Sequence, residues 1–294
     1  MLRSARTVVI VVGVLLVAAA AGHLIRKQVR VARVRAAQEE FSRAQLAAAK
    51  DVPAEVVRSR EPLAAELQPV TLSNCQLARM GNRHDGGYLM CANLLAGLQS
   101  AYSYGIGGED SWGCDISRAH RVPVHQYDCF NPTQAQCGGA DFRLNVECVG
   151  PKQEVIEGRT FDTLANQIAR NGDTAKRVVV KMDIEGAEWD TVLAAPDDLL
   201  ASIDQMPMEL HGIDEANVIA GLRKLKQHFY LVSVHFNNIA CTPKAAPLPS
   251  TAYQVLLVNK RVGIPGPFPP GTPPLESLLL PDSPNSPDCQ KFLR

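Results

Sequence analysis

Lys181-Met182-Asp183-Ile184-Glu185-Gly186-Ala187-Glu188-Trp189 follows the β-branched run Arg177-Val178-Val179-Val180 and passes into a helical pattern. The apolar run is short enough for a buried strand, which delivers Asp183, Glu185 and a glycine turn to its C-terminal edge. In open α/β sheets, ligands bind at that edge. Upstream, Ala101-Tyr102-Ser103-Tyr104-Gly105-Ile106-Gly107-Gly108 reads as a second strand ending in a glycine-rich turn. A third strand, Val124-His125-Gln126-Tyr127, ends in Asp128. Glycine turn, acid after the next strand and carboxylates after a later one together describe a nucleoside-cofactor site.

Working outward, strands and helices alternate. Helices are predicted near Leu89–Leu98, Asp115–His120, Phe161–Asn171 (capped by Thr160) and Val218–His228. Further strands are predicted at Phe142–Val149, Ile203–Leu210, Phe229–His235 and Tyr253–Val258, the last two close enough to pair antiparallel. Such alternation implies a mainly parallel sheet with helices on both faces. From Gly263 onward proline is too dense for regular structure, so the tail is either disordered or wrapped over the domain, with Cys289 as a tack.

The N-terminus differs in kind. Thr7 to Ile25 is almost continuously apolar, preceded by Arg3 and Arg6 and followed by Arg26, Lys27, Arg30, Arg33 and Arg35. About 18–20 apolar residues can cross a bilayer. A cleaved signal peptide is the alternative, but the basic cluster beyond the run fits a membrane-surface flank. The expected organisation is therefore a membrane anchor at 1–25, a helical stalk and linker at 26–69, a domain at 70–262 and a Pro-rich tail at 263–294.

Two signals about the compartment conflict. The excess of basic residues after the span places the domain in the cytoplasm. Eight cysteines, all beyond residue 74, suggest an oxidising compartment. They contain no C-x-x-C pair, which argues against a zinc knuckle. With 30 basic and 30 acidic residues in balance, no nucleic-acid partner is expected.

The glycine turn is not a dinucleotide fingerprint. That pattern would put glycines at 105, 107 and 110, and position 110 is Asp110. Gly105, Gly107 and Gly108 remain candidates for close backbone approach to a ligand, with an ordinary tight turn as the alternative. Asp128 can accept from both hydroxyls of a ribose, or it can simply form a turn before Asn131-Pro132. Glu185 and Glu188 can equally be helix N-terminal acids. His211 and His235 close two later strands, and with Asp183 they are the candidates for a general base or a metal site. Asp85-Gly86-Gly87-Tyr88 reads as a turn that can act as a lid.

These residues resemble the methyltransferase-like protein 24 group, relatives of the FkbM-type methyltransferases. The matching words are HDGGY at His84–Tyr88, YSYGIGG at Tyr102–Gly108, VHQYDCF at Val124–Phe130, VKMDIEGAEWD at Val180–Asp190 and MELHG at Met208–Gly212. The resemblance covers about residues 74 to 260. It implies a doubly wound, mainly parallel seven-stranded α/β sheet of the class I methyltransferase type, with S-adenosylmethionine as cofactor. It implies that Gly105 and Gly107 line the cofactor, that Asp128 holds its ribose, and that Asp183 lies near the methionine end and the acceptor. The usual first motif has an acid and a third glycine where this chain has Ser103 and Glu109; Glu109 or Asp110 would then receive the methionine ammonium.

The expected function is a membrane-anchored, S-adenosylmethionine-dependent O-methyltransferase acting on a small-molecule or glycan hydroxyl, with no metal. Asp183, His211 or His235 would take the hydroxyl proton. A non-catalytic tethered binding protein on the same fold and an anchored glycosyltransferase are the alternatives. The latter would want a D-x-D metal motif, and the nearest word is Asp183-Ile184-Glu185.

Overall fold

The computed structural model describes residues 27–289 apart from 30, 31, 34, 35, 42, 46 and 215. The chain divides into two units, 1–47 and 48–294. In the first, the described residues from 27 to 47 are helical.

The second unit carries the fold. It runs α1 (Ala54–Glu66), β1 (Leu77–Met80), β2 (Tyr88–Cys91), β3 (Ser100–Tyr104), α2 (Ser111–His120), β4 (Pro123–Tyr127) and β5 (Asp141–Asn145). Then come β6 (Cys148–Val149), β7 (Glu154–Ile156), β8 (Arg159–Asp162), α3 (Leu164–Arg170), β9 (Val178–Met182), α4 (Glu188–Ala194) and α5 (Asp197–Ser202). The last elements are β10 (Ile203–His211), α6 (Ala216–His228), β11 (Phe229–Phe236), β12 (Ala252–Asn259) and α7 (Leu275–Leu278).

Seven strands form one sheet in the order β11-β12-β10-β9-β3-β4-β5. From β10 to β5 every neighbouring pair is parallel, while β12 runs antiparallel to both β10 and β11. The sheet is thus mixed, not all parallel: the last two strands pair antiparallel as expected, and β12 is antiparallel to β10 as well. The expected transmembrane helix is corrected: among the described residues no helix is long and apolar enough to cross a membrane. The run Thr7–Ile25 itself lies outside the described residues. The expected single-pass membrane location is corrected on the same finding.

Side chains alternate across the sheet with period two. On β9, Val178, Val180 and Met182 face one core with Tyr102 and Tyr104 of β3. Leu63 of α1, Ile168 of α3, Trp189 of α4 and Leu222 of α6 close that side. Val179 faces the other core with Ala101, covered by Trp112 and Ile116 of α2 and by the β1–β2 hairpin. All five β9 side chains are buried, and each buried Val stabilises by about 1.5–3 kcal/mol.

Several boundaries differ from expectation for identifiable reasons. The stretch read as a helix from Leu89 begins as β2, whose four residues are all buried and pair antiparallel with β1. Phe161 belongs to β8, and helix α3 starts only after Thr163, whose side chain accepts the amide of Asn166. Asp110 caps α2 through the amide of Gly113, so that helix starts before Asp115. Pro53 and Pro62 do not make a linker, because Pro53 is the N-cap of α1 and the helix passes through Pro62.

The Pro-rich tail is wrapped over the domain. Leu72 bridges Pro265, α7 adds one helical turn, and a Cys241–Cys289 disulfide fastens the end. The other six cysteines pair as Cys75–Cys91, Cys114–Cys137 and Cys129–Cys148.

Candidate functional site

Strand order reverses between β3 and β9: the chain leaves β3 for β4 and β5 on one side, then returns through β9 and β10 on the other. The crevice beyond the strand ends at such a point is where ligands bind in open sheets. A cavity of about 600 Å³ opens there. Its walls include Gly105, Gly107 and Glu109 after β3, Asp128 and Phe130 after β4, and Asp183 and Glu185 after β9.

The three glycines do different things. Gly105 has φ +73°, and a Cβ there would lie 1.6 Å from the Asp183 carbonyl oxygen. Its need for glycine comes from the close approach of two strand ends. Gly107, at φ +59°, has nothing within 4 Å of where a Cβ would be, so it leaves space on the cavity side. At Gly108 a Cβ would meet Asn131 Nδ2 at 2.8 Å, so this residue serves loop packing.

Asp128 builds its own turn. Its Oδ2 accepts the Gly107 amide at 2.8 Å, and Oδ1 accepts the amides of Phe130 and Asn131 at 2.9 and 2.8 Å. The carboxylate thereby joins the glycine turn to the loop after β4. The Cys129–Cys148 disulfide ties that loop to β6. A carboxylate oxygen offers about two acceptor positions, so Oδ2 retains one for a ligand hydroxyl.

The two acids after the glycine turn separate cleanly. Asp110 is buried, with Oδ1 on the Gly113 amide and Oδ2 accepting Gln126 Nε2 at 3.0 Å. Burial pushes its carboxyl above the ordinary range, against the opposing charge of Lys181. Glu109 is exposed on the cavity wall, which makes it the acid of the pair able to meet a ligand ammonium.

At the end of β9, Asp183 Oδ2 accepts the Tyr88 hydroxyl at 2.9 Å and lies 3.5 Å from Lys181 Nζ. Lys181 is itself buried and donates to the carbonyls of Tyr104 and Gly105 at 3.1 and 2.7 Å. One ammonium thus gathers the ends of β3 and β9. Glu188, fully buried at the start of α4, accepts the amides of Ile184 and Gly186 and His211 Nδ1, the last at 3.1 Å. Glu185 adopts φ +57°, which turns its exposed side chain toward His211, with Oε2 3.5 Å from Nε2.

His211 and Asp183 are therefore brought together, and His235 is not. His235 is buried behind the site, with Nε2 3.5 Å from Asp282 Oδ2. Burial disfavours a charge on His211, but the hydrogen bond it gives Glu188 and the Glu188 charge outweigh it and raise the imidazole to about 9. Glu188 thus favours the charged form of His211, in which the ring cannot take a further proton. Glu209, buried near Asp183, is pushed up to about 7 by burial and then by the Asp183 charge.

Sequence reasoning missed Lys181, Tyr88, Glu209 and Asp282. A lone lysine inside Val-Val-Val-Lys-Met and a lone glutamate inside Met-Glu-Leu are signals in themselves, since ionisable groups are rarely buried unpaired. Nothing in the Pro-rich tail marks Asp282 as a site residue. Comparison of the chain with protein-family models and with curated proteins finds no match.

Proposed function

We propose that this chain is an S-adenosylmethionine-dependent methyltransferase that methylates a hydroxyl oxygen. The observation that carries the reading is the cavity at the strand-order reversal, where the Gly107 turn, Asp128 and Asp183 converge from three strand ends. Its volume of about 600 Å³ is in the range of small-molecule sites. Tyr104 and Tyr127, buried behind the cavity lining, stack with centroids 4.9 Å apart and stiffen that wall. The free acceptor position on Asp128 Oδ2 suits a ribose hydroxyl, and Glu109 suits the methionine ammonium.

The chemistry asked of the protein is modest. The sulfonium methyl group is intrinsically reactive, so alignment of acceptor oxygen, methyl carbon and leaving sulfur supplies most of the acceleration. The acceptor oxygen forms its bond to carbon as the carbon–sulfur bond breaks, and the sulfonium becomes a neutral thioether. Asp183, on the cavity wall and fixed by Tyr88, is placed to orient the hydroxyl and take its proton.

One observation favours a second reading, a non-catalytic binding protein. Asp128 is already committed to three backbone amides, which is sufficient reason for an aspartate at that position. Calorimetric titration of the full chain with S-adenosylmethionine and S-adenosylhomocysteine separates the two. Micromolar binding that Glu109→Gln weakens supports the enzyme. A folded chain that binds neither compound refutes it.

A further inference from the structure

We propose that Asp183, Glu185 and His211 form a divalent-cation site at the edge of the cavity, with coordination positions left open toward it. Donor atoms of the three residues all lie within 4.8 Å of one another. Ligands held about 2.0–2.4 Å from one ion lie at most about 4.8 Å apart, so one ion can meet all three with small side-chain adjustments. Two carboxylates and one imidazole are a donor set for magnesium, manganese or zinc.

Two of the three donors are oriented by neighbours that are not themselves ligands. Glu188, fully buried, holds His211 at Nδ1 and turns Nε2 toward Glu185. That is how a metal-binding histidine is usually fixed, with a carboxylate on its other nitrogen. Tyr88 and Lys181 hold Asp183 by Oδ2, leaving Oδ1 to offer. Glu185, with its backbone at φ +57°, is exposed and reaches His211 Nε2 at 3.5 Å. A cation there takes the place of the proton on His211 Nε2.

The three donors sit in an acidic neighbourhood. Asp85, Glu209 and Asp282 form an adjoining carboxylate group, joined to the first through Glu209 Oε1, 4.0 Å from His211 Nε2. Asp282 is only 3% exposed; its Oδ1 accepts Gln254 Nε2 at 2.9 Å, its Oδ2 lies 3.5 Å from His235 Nε2, and the Arg79 guanidinium is close enough to feel its charge. That second group lacks a nitrogen ligand. The Asp183 group has one, and two of its members face the cavity.

The role of the ion rests on the methyltransferase reading. Bound to it, the acceptor hydroxyl would lose its proton to solvent more readily and would be aimed at the methyl carbon. The ion would then take from Asp183 the task of activating the hydroxyl.

The test is manganese binding to the full chain, followed by the loss of the free-ion electron paramagnetic resonance signal. The expected result is one Mn²⁺ per chain at micromolar concentration, weakened at least tenfold in Glu185→Gln and in His211→Gln. The Glu185 side chain is 85% exposed, so Glu185→Gln should melt like the parent and serves as the variant free of folding effects. No binding, or binding that Glu185→Gln leaves unchanged, overturns the site. A parallel S-adenosylmethionine titration keeps the two ideas apart. Cofactor binding without manganese binding sinks the cation site alone; manganese binding without cofactor binding keeps the site and sinks the methyl-transfer reading.

Discussion

Tyr88 donates a 2.9 Å hydrogen bond to Asp183 Oδ2 and so ties the β1–β2 hairpin, outside the main sheet, to the end of its central strand. The tyrosine is buried, and burial together with the Asp183 charge pushes its hydroxyl well above its ordinary value, so it stays a donor. A hydrogen bond to a charged acceptor contributes about 1.5–3 kcal/mol. Tyr88→Phe keeps the ring and removes only that bond. Denaturant titration should show a loss of about 2 kcal/mol, with Asp183 freed to move. An unchanged midpoint would mean that Asp183 finds another donor at no cost.

Gly105 and Gly107 should respond oppositely to the same change. Alanine at 105 puts a methyl group 1.6 Å from the Asp183 carbonyl oxygen, which no local adjustment can absorb without parting β3 from β9. Gly105→Ala should therefore fold poorly or lose more than about 4 kcal/mol. Alanine at 107 meets nothing and pays only the left-handed backbone cost of about 1–2 kcal/mol. Thermal melting checks both, and equal losses at the two positions would refute the distinction.

How much of this was legible in the sequence follows from what each residue is near in the chain. Val178–Met182, Gly105 and Asp128 declare themselves because strand, turn and acid are consecutive. The strand-end convergence of Asp183 with His211 also follows, since adjacent parallel strands end together. The β1–β2 hairpin was hidden because a four-residue buried strand has too little periodicity to distinguish it from a helix. Asp282 was hidden because its place depends on a disulfide between Cys241 and Cys289, and cysteine spacing does not reveal pairing.

That disulfide is open to test. Fastening a loop of 48 residues stabilises by about 4 kcal/mol in the chain-entropy account. The tail it holds also accepts two bonds from the His84–Gly87 turn: Pro281 O meets His84 Nδ1, and Asp282 O accepts the Asp85 amide. The Cys241→Ser/Cys289→Ser pair should lower the melting temperature and expose residues 263–289 to limited proteolysis, while the sheet stays resistant. A denatured, unreduced parent should show no free thiol. Any titratable thiol would contradict the pairing.

Acid should loosen α1 before it unfolds the sheet. Arg60 grips Asp214 with two hydrogen bonds of 2.6 and 2.7 Å, and Glu66 pairs with Arg223 and Lys226 of α6 at 2.9 and 2.7 Å. Hydrogen bonds from Lys226 and then Arg223 lower the Glu66 carboxyl, and the Arg60 bond lowers that of Asp214. A carboxyl depressed in the folded state adds stability that is fully present above its unfolded value. That stability is lost as pH falls through the folded one. The ordinary values are 4.5 and 3.8, so the loss starts below them and is absent at neutral pH. Hydrogen-exchange protection of Ala54–Glu66 should hold from pH 7 to 5 and fall below pH 4, with β9 still protected. Glu66→Gln should show part of that loss already at pH 7. If protection of α1 and β9 falls together, or Glu66→Gln behaves as the parent, these ion pairs do not hold the helix.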